Sequence, residues 1–470
     1  MLMFGLLACL AKPMDIPVVT ITESVEQKIN WKEAGEEASQ LLSAYIQVDT
    51  TNPNGNETRG AEFLGTFLEK EGIPYEIHES SENRGNLIAR IRGDGTEKPI
   101  CLLSHIDVVT AEPEKWEKDP LSGEISDGYI WGRGALDMKS MGVMELLTMV
   151  WLKRLDIPLK RDVILLAVAD EEVQGEGARF IRDNYWDFIQ CSHMINEGGL
   201  GLQDMMFEGQ NVYPISVGEK GAVWLKMIAS GEPGHGSTPR PNEAPRYLME
   251  ALDALGTREL GEEFSPQLVS LMNAVGQHKG GATGIVLRNK TLRNVLVTPK
   301  LMSNPLTRAA MINTVHVTGF GGQNKPNVVP SEVYAILDCR IQPGVDPQDF
   351  IASLEAIVAS EQIHFEIISA TSGSVSPTED PLYKALAYQA TKGESDAVAG
   401  PVISVGYTDS NYFRPLGVKA YGFHPVLLTE KDMEGFHGHN EKISTSNMEN
   451  GLRKLFLSVY AVSVQENALK

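Results

Sequence analysis

Residues 163–172 read VILLAVADEE, seven apolar residues followed at once by three acids. An apolar run of this length, without polar alternation, is typical of a strand buried on both faces of a parallel sheet. Similar short runs at 86–91, 100–104 and 194–196 alternate with helical patterns such as 138–155. This alternation predicts an α/β fold in three layers, in which helices cover both faces of a mixed, mostly parallel sheet.

The pattern changes twice along the chain. Over 216–372, strand-like runs, a Gly/Pro-rich loop and a helix predict a separate α+β domain. The flanking segments, 31–215 and 373–470, then form one α/β domain that is interrupted by this insertion. Residues 1–30 are interpreted as an N-terminal extension or the remnant of a signal segment.

The N-terminal residues and the cysteines bear on location. Residues 1–11 are almost wholly apolar, but too short to span a bilayer, which takes about 20 residues. The stretch Leu6-Leu7-Ala8-Cys9 is similar to a bacterial lipoprotein cleavage site, so an exported protein, lipid-anchored at Cys9, and a cytoplasmic protein both stay open. Four scattered cysteines without a C-x-x-C pair indicate neither a disulfide framework nor thiolate zinc ligation.

The net charge of the chain argues against two classes of binding partner. The chain has 470 residues, with 41 Lys or Arg against 62 Asp or Glu, and a formal net charge of −21. Nucleic-acid binding needs a clustered basic surface, so this balance argues against such a partner. It also argues against docking on an anionic membrane surface.

Residues that follow the apolar runs are the candidates for a site, because ligands of open α/β sheets bind beyond the carboxyl ends of the strands. His105 and Asp107 follow the run at 100–104. Positions i and i+2 share a face in an extended chain, so Asp107 can orient His105 as a metal ligand. A surface histidine beside an unrelated acid is the alternative.

Acids stand at three further points. The central run ends in Asp170-Glu171-Glu172, and acids so placed repel one another unless a cation lies between them. A solvated charge run is the alternative. Glu197 follows another run, and Asp137 stands where a glycine-rich loop turns into a helix. Asp137 is either a helix N-cap or a carboxylate that bridges two cations.

Two histidines near the C-terminus, His437 and His439, add imidazoles to this set. Histidines and carboxylates without thiolates are typical of a hydrolytic site with two zinc ions. The chain has no G-x-S-x-G elbow and no H-E-x-x-H motif, which argues against a serine hydrolase and a single-zinc protease.

Several motifs, taken together and in order, resemble those of a known family. This is metallopeptidase family M20, the co-catalytic zinc hydrolases that include aminoacylase, acetylornithine deacetylase, succinyl-diaminopimelate desuccinylase, glutamate carboxypeptidase and carboxypeptidase S. The matching motifs are 104–109 (SHIDVV), 132–139 (GRGALDMK), 170–172 (DEE), 196–198 (NEG), 234–239 (GHGSTP) and 437–441 (HGHNE). They spread over most of the chain, from about residue 40 to residue 460.

The resemblance implies a ligand set for two zinc ions, which cobalt or manganese can replace. In chain order the implied ligands are His105, Asp137, Glu172, Glu197 and His437. Asp137 bridges the two ions and often precedes a cis peptide bond in the family. The two histidines bind different ions, and each ion takes one of the glutamates. His437 is preferred to His439 because the family spacing is His, two residues, then Asn/Asp-Glu.

The resemblance also implies roles outside the ligand set. Glu171 is the general base, and Asp107 is the partner of His105. The inserted domain is a lid or dimerisation domain, from which His235 reaches the substrate carbonyl, in some members from a partner subunit. Asn327 and Arg340 hold the substrate, and Arg340 can grip a carboxylate with two hydrogen bonds.

The expected activity is hydrolysis of an amide bond next to a free carboxylate. The substrate is a small peptide or an N-acyl amino acid, as for a metallo-carboxypeptidase, a dipeptidase or an N-acyl-amino-acid amidohydrolase. A metal-binding scaffold of the same fold without catalysis is the alternative, and retention of the non-ligand Glu171 argues against it. A monomer and a homodimer formed through the inserted domain both stay open.

Overall fold

The structure is a computed structural model that describes residues 17–238, 240–256, 264–322 and 325–465. The apolar N-terminal segment with Cys9, and Pro239 at the end of the 234–239 motif, lie outside the described residues. Within these ranges, no helix combines the length and the apolar character needed to cross a membrane.

The secondary structure alternates strands and helices through most of the chain. The helices are α1 (Pro17–Glu26), α2 (Trp31–Ile46), α3 (Glu57–Lys70), α4 (Lys139–Arg154), α5 (Glu176–Ile189), α6 (Ala244–Gly256), α7 (Pro266–Lys279), α8 (Gly281–Arg288), α9 (Lys290–Leu296), α10 (Thr298–Ser303), α11 (Pro305–Met311), α12 (Pro347–Val358), α13 (Pro381–Thr391), α14 (Ser410–Phe413), α15 (Glu430–Met433) and α16 (Thr445–Ser463). The strands are β1 (Tyr75–Glu79), β2 (Gly85–Ile91), β3 (Ile100–His105), β4 (Ile125–Ser126), β5 (Tyr129–Trp131), β6 (Val163–Val168), β7 (His193–Asn196), β8 (Gly201–Gln203), β9 (Asn211–Glu219), β10 (Gly221–Ser230), β11 (Gly234–His235), β12 (Thr314–Gly322), β13 (Val328–Val329), β14 (Glu332–Ile341), β15 (Ile363–Ala370), β16 (Ala397–Ser404), β17 (Lys419–Gly422), β18 (Leu427–Leu428) and β19 (Lys442–Ser444).

A ten-stranded sheet forms the centre of the chain, in the order β1-β2-β6-β3-β7-β17-β9-β8-β18, with β16 paired to β9. Its middle strands β6, β3, β7 and β17 run parallel to one another, and β1 and β2 add an antiparallel edge. The apolar run at 163–169 supplies β6, which lies inside the sheet and is buried along its whole length.

Side chains of β3 alternate between two cores. Ile100 and Leu102 pack with residues of α2, α4, α13 and α16, whereas Cys101 and Leu103 pack with residues of α5. Because helices cover both faces, the strand is apolar at four consecutive positions, 100–103, rather than at alternate positions. The predicted three-layer α/β fold with a mostly parallel sheet is confirmed.

A second, antiparallel sheet of four strands has the order β12-β14-β10-β15. Val223, Leu225 and Met227 of β10 point to the face that α6 and α12 cover. Trp224, which points to the opposite face, is 45% exposed. A sheet with helices on one face only is the expected α+β architecture of the inserted domain.

Part of the predicted insertion packs on the large sheet instead. Leu271 and Val275 of α7 contact Val212 of β9 and Val398 of β16 in one small core. The residues of α7 therefore belong to the surface of the α/β domain, although they lie inside 216–372. An apolar stripe on a helix shows that it is buried, but does not show against which sheet. The boundaries 216 and 372 stay a proposal.

Candidate metal centre

Three neighbouring parallel strands end at one edge of the large sheet. β3 ends at His105, β6 ends two residues before Asp170, and β7 ends one residue before Glu197. Parallel strands present their carboxyl ends at the same edge, so the side chains that follow them converge. Asp137 reaches the same place from the start of α4, and His437 from the turn after α15.

Asp137 lies between the two histidines. Its Oδ1 is 3.1 Å from Nε2 of His105, and its Oδ2 is 2.8 Å from Nε2 of His437. The same nitrogen of His437 is 3.2 Å from Oε1 of Glu172. One carboxylate oxygen thus faces each imidazole, as a carboxylate shared by two cations requires. The expected cis peptide bond between Asp137 and Met138 is present.

Two overlapping groups of side chains can each hold a metal ion. Both contain His105; one adds Asp137 and Glu172, and the other adds Glu171 and Glu197. Within each group the ligand atoms lie within 4.8 Å of one another. Glu171, which the sequence predicts as a base, is therefore as close to a cation position as the predicted ligands are.

Buried charge dominates the electrostatics of this centre. Burial, and next the charge of Glu197, raise the pKa of Glu171 well above its ordinary value, and burial and Asp137 do the same for Glu197. Hydrogen bonds to Asp137 and Glu172 raise the pKa of His437 to about 10. Burial and the crowding of acids thus both favour the neutral form of these two carboxyl groups. A bound divalent ion would favour the charged form instead, because carboxylate ligands bind metal in their deprotonated form.

Asp107 contacts more of the site than the sequence predicts. Nδ1 of His105 is hydrogen-bonded to the backbone oxygen of Asp107 at 2.9 Å, whereas the carboxylate oxygen Oδ1 lies 3.6 Å away. The buried carboxylate accepts hydrogen bonds from the backbone N–H groups of Glu171 and Glu172, both at 3.1 Å, and from Nδ2 of Asn52 at 2.7 Å. Asp107 therefore fixes the loop that carries both glutamates, as well as the imidazole.

Glu441 organises the loop that carries Asp137, a role that the sequence did not predict. Its carboxylate accepts hydrogen bonds from the backbone N–H groups of Gly134 (3.1 Å), Leu136 (2.6 Å) and Asp137 (3.1 Å). It also accepts one from Nη1 of Arg133 at 2.8 Å, and it is fully buried. The position of Glu441 at the end of the 437–441 motif is the only signal that the sequence offers.

Asp409 is a further acid that the sequence analysis missed. It is buried at the N-terminus of α14 and lines the same cleft as Glu171. Burial raises its pKa well above the ordinary value, and its Oδ1 has no hydrogen-bond partner among the described residues. The signal that could have found it is the apolar run of β16, a parallel strand that ends five residues earlier.

A cleft of about 520 Å³ lies beside the acids. Glu171, Glu172 and Asp409 line it from the α/β domain, and Trp224 and Arg340 line it from the four-stranded sheet. Asp338 holds the guanidinium of Arg340 with two hydrogen bonds, of 2.8 and 3.1 Å. The structure thus places Arg340 on the opposite side of the cleft from the acids.

His235 and Asn327 lie together at another place in the inserted domain. β11, which carries His235, pairs with β13, and the backbone N–H of Gly236 donates to the backbone oxygen of Asn327 at 2.9 Å. His235 is exposed, and its Nδ1 is 2.7 Å from Oγ of Ser237. Neither residue is among the described residues that line the cleft. Their predicted roles therefore require a movement of the inserted domain or a second copy of the chain.

Single replacements of the two C-terminal histidines distinguish their roles. His437 contacts Asp137 and Glu172, whereas, among the described residues, His439 forms no hydrogen bond or ion pair with either acid. We expect His437→Ala to lose about one metal ion per chain, because a ligand is removed, and His439→Ala to keep both. Metal content after dialysis, measured by mass spectrometry, checks this. Loss from His439→Ala alone would reverse the assignment.

Comparison with known proteins places the chain in a family. The sequence model described as Peptidase family M20/M25/M40 matches residues 101–460. The chain belongs to this family. Human N-fatty-acyl-amino acid synthase/hydrolase PM20D1 is 30% identical over 445 residues, which cover 92% of this chain and 88% of the relative. As a family member, the protein is a hydrolase.

Two solved structures of the family share the fold. The M20 family metallo-carboxypeptidase Sso-CP2 from Sulfolobus solfataricus has a TM-score of 0.67 at 19% identity, covering 91% of this chain and 99% of the other. The Bacillus subtilis YXEP protein, a dinuclear metal binding peptidase, has a TM-score of 0.59 at 13% identity, covering 92% and 98%. Both support a mixed α/β fold with a mainly parallel central sheet. Dinuclear metal binding is general in the family, and the residues around His105 form a candidate group for it.

Proposed function

We propose that this protein hydrolyses an amide bond next to a free carboxylate, in a small peptide or an N-acyl amino acid, with two zinc ions. The observation that carries the proposal is Asp137 held between His105 and His437, with Glu171 beside them in the wall of a cleft. Imidazoles and carboxylates without thiolates suit a catalytic zinc site better than a structural one.

The donors present fit two cations that share Asp137. His105 and Glu197 would complete one site, and Glu172 and His437 would complete the other, in line with the contacts between these side chains. When bound, two such ions act as Lewis acids and lower the pKa of a shared water toward about 7. Cobalt or manganese can substitute because both accept the same nitrogen and oxygen donors.

Glu171 moves the proton in this proposal. Its carboxylate takes a proton from the attacking water and later gives it to the leaving amine nitrogen. Its backbone N–H is fixed by Asp107, which limits how far the carboxylate can move from the reacting atoms. His235, brought by lid movement or by a second copy in a homodimer, would donate a hydrogen bond to the substrate carbonyl oxygen.

Arg340 supplies the preference for a free carboxylate. It lies on the lid side of the cleft, and Asp338 already orients its guanidinium for bidentate contacts. The human relative is an N-fatty-acyl-amino acid synthase/hydrolase, which supports acylated amino acids as substrates. The Sulfolobus structure is that of a metallo-carboxypeptidase, which supports peptides with a free C-terminus.

A substrate panel with metal control tests the proposal. Dipeptides, N-acetyl amino acids and N-fatty-acyl amino acids are assayed with zinc, cobalt or manganese, and again after removal of metal by a chelator. We expect amide hydrolysis that the chelator abolishes and added metal restores. Metal-loaded protein that hydrolyses none of these amides would favour the alternative, a metal-binding scaffold or binding module of the same fold.

Arg340→Met should raise the KM for a carboxylate-bearing substrate by about 10-fold to 100-fold, because charge-assisted hydrogen bonds to the carboxylate are lost. The matched control is the same substrate with its carboxylate replaced by a neutral carboxamide, on which wild-type enzyme and variant should differ little. An equal increase in KM for both substrates would show that Arg340 does not bind the substrate carboxylate.

A further inference from the structure

Helix α9 exposes the side chains that a surface helix normally buries. Leu292, Val295 and Leu296, at positions i, i+3 and i+4, are 37%, 64% and 58% exposed, whereas Arg293 of the same helix is 4% exposed. The guanidinium of Arg293 lies over the ring of Phe264 and donates to a backbone carbonyl. A surface helix of a globular protein ordinarily turns its apolar stripe inward and its charge outward. α9 turns its apolar stripe outward and Arg293 inward, while Lys290 at its start is exposed.

The exposed stripe continues onto the preceding helix. Ile285 of α8, which packs against α9, is 58% exposed. We call these four side chains the aliphatic patch: Ile285, Leu292, Val295 and Leu296. Scattered exposed apolar residues are ordinary, but a group on consecutive helices marks an interaction surface.

The chain around the aliphatic patch reverses the overall charge. Residues 264–331 contain no Asp or Glu but seven Lys or Arg, in a chain with a net charge of −21. Arg288, Lys290 and Lys300 of this segment are exposed, and we call them the basic rim. The negative net charge of the whole chain argued against binding to an anionic membrane, but it does not exclude binding through this locally basic segment. Lys279 of this segment donates a hydrogen bond to the backbone oxygen of Glu208, in a neighbouring turn that also contains Asp204.

We propose that the aliphatic patch and its basic rim dock this protein on the surface of an anionic lipid bilayer. Lipid headgroups of negative charge attract the rim and repel the acidic remainder of the chain, so that the patch is turned toward the membrane. Short helices that carry aliphatic side chains flanked by Lys and Arg bury those side chains at the boundary of headgroups and acyl chains. The proposal does not depend on the reaction that the metal centre carries out.

Charge also distinguishes a bilayer from a second copy of the chain. A two-fold dimer formed through this surface would place one basic rim against the other, because both subunits contribute the same residues. Such like charges repel, whereas an anionic bilayer neutralises both. Among these partners, the aliphatic patch therefore fits the lipid surface.

Vesicle flotation of the full-length protein tests the proposal. We expect wild-type protein to float with vesicles of phosphatidylglycerol and phosphatidylcholine, less so at high salt, and hardly at all with phosphatidylcholine alone. Val295→Glu/Leu296→Glu and, separately, Lys290→Gln/Lys300→Gln should each weaken binding about tenfold or more. Met249→Glu is the matched control, since Met249 is 65% exposed on α6 next to Glu250, outside the patch.

Each other outcome counts against the proposal. Residues 1–16 are the same in every variant, so unchanged binding of Val295→Glu/Leu296→Glu would assign membrane contact to another segment. Equal binding to neutral and anionic vesicles would show that the basic rim does not contribute to binding. A change of mass in light scattering without a vesicle effect would assign the patch to a second copy. An unfolding midpoint close to that of the wild type ensures that each variant is folded.

Discussion

Glu171→Gln should lower kcat for amide hydrolysis by about 10³-fold or more, while the metal content of the chain stays unchanged. Gln has nearly the shape of Glu, so the position in the cleft wall and the backbone hydrogen bond to Asp107 are retained. The amide cannot take a proton from water or deliver one to the leaving amine. Single-turnover rates and metal content, measured on one preparation, separate the loss of a base from the loss of a ligand.

Two further substitutions serve as comparisons for Glu171→Gln. Glu172→Gln, next along the chain, removes a proposed ligand and should reduce metal content as well as rate. Glu176→Gln changes an acid of the same cleft whose ion-pair partner is Arg179, and should leave both nearly unchanged. If Glu171→Gln instead lost metal, the group formed by His105, Glu171 and Glu197 would be a binding site, and the base would have to be another residue.

The positions of the strand-end residues could be predicted because one physical rule covers them. An apolar run without alternation indicates a strand inside a parallel sheet, and parallel neighbours end at one edge. His105, Glu171 and Glu197 follow three such strands, and the structure brings them together. The fold class followed from the same runs and is confirmed, whereas the roles of the residues stay predictions.

Contacts that depend on the packing of distant segments could not be predicted in this way. Glu441 bonds a loop about 300 residues earlier in the chain, and nothing in its local sequence identifies that partner. Asn52 reaches Asp107 from a turn outside every quoted motif. His235 and Asn327 lie in the inserted domain, and a single sequence does not orient that domain over the cleft. The packing of α7 on the large sheet could not be predicted either, because it also depends on contacts between distant segments.

Glu441→Gln should destabilise the protein by about 3–5 kcal/mol, because it leaves the guanidinium of Arg133 buried without its counter-charge. Arg133 is 2% exposed, so water cannot replace the carboxylate. The amide also has one acceptor oxygen where two accept now, and its NH₂ group faces backbone N–H donors. Urea unfolding of the metal-free protein measures the loss, with exposed Glu434→Gln as the matched control.

The same substitution should weaken metal binding by about 10-fold to 100-fold, because Glu441 holds the backbone that presents Asp137. Adding Arg133→Met to Glu441→Gln tells the two effects apart. Removal of the unpaired charge should recover stability. The single acceptor oxygen of Gln still cannot replace both carboxylate oxygens toward the backbone donors of Gly134, Leu136 and Asp137, so metal affinity should stay low. Recovery of both in the double variant would mean that Glu441 acts on the metal centre only through Arg133. Recovery of neither would mean that the buried ion pair is not the source of the lost stability.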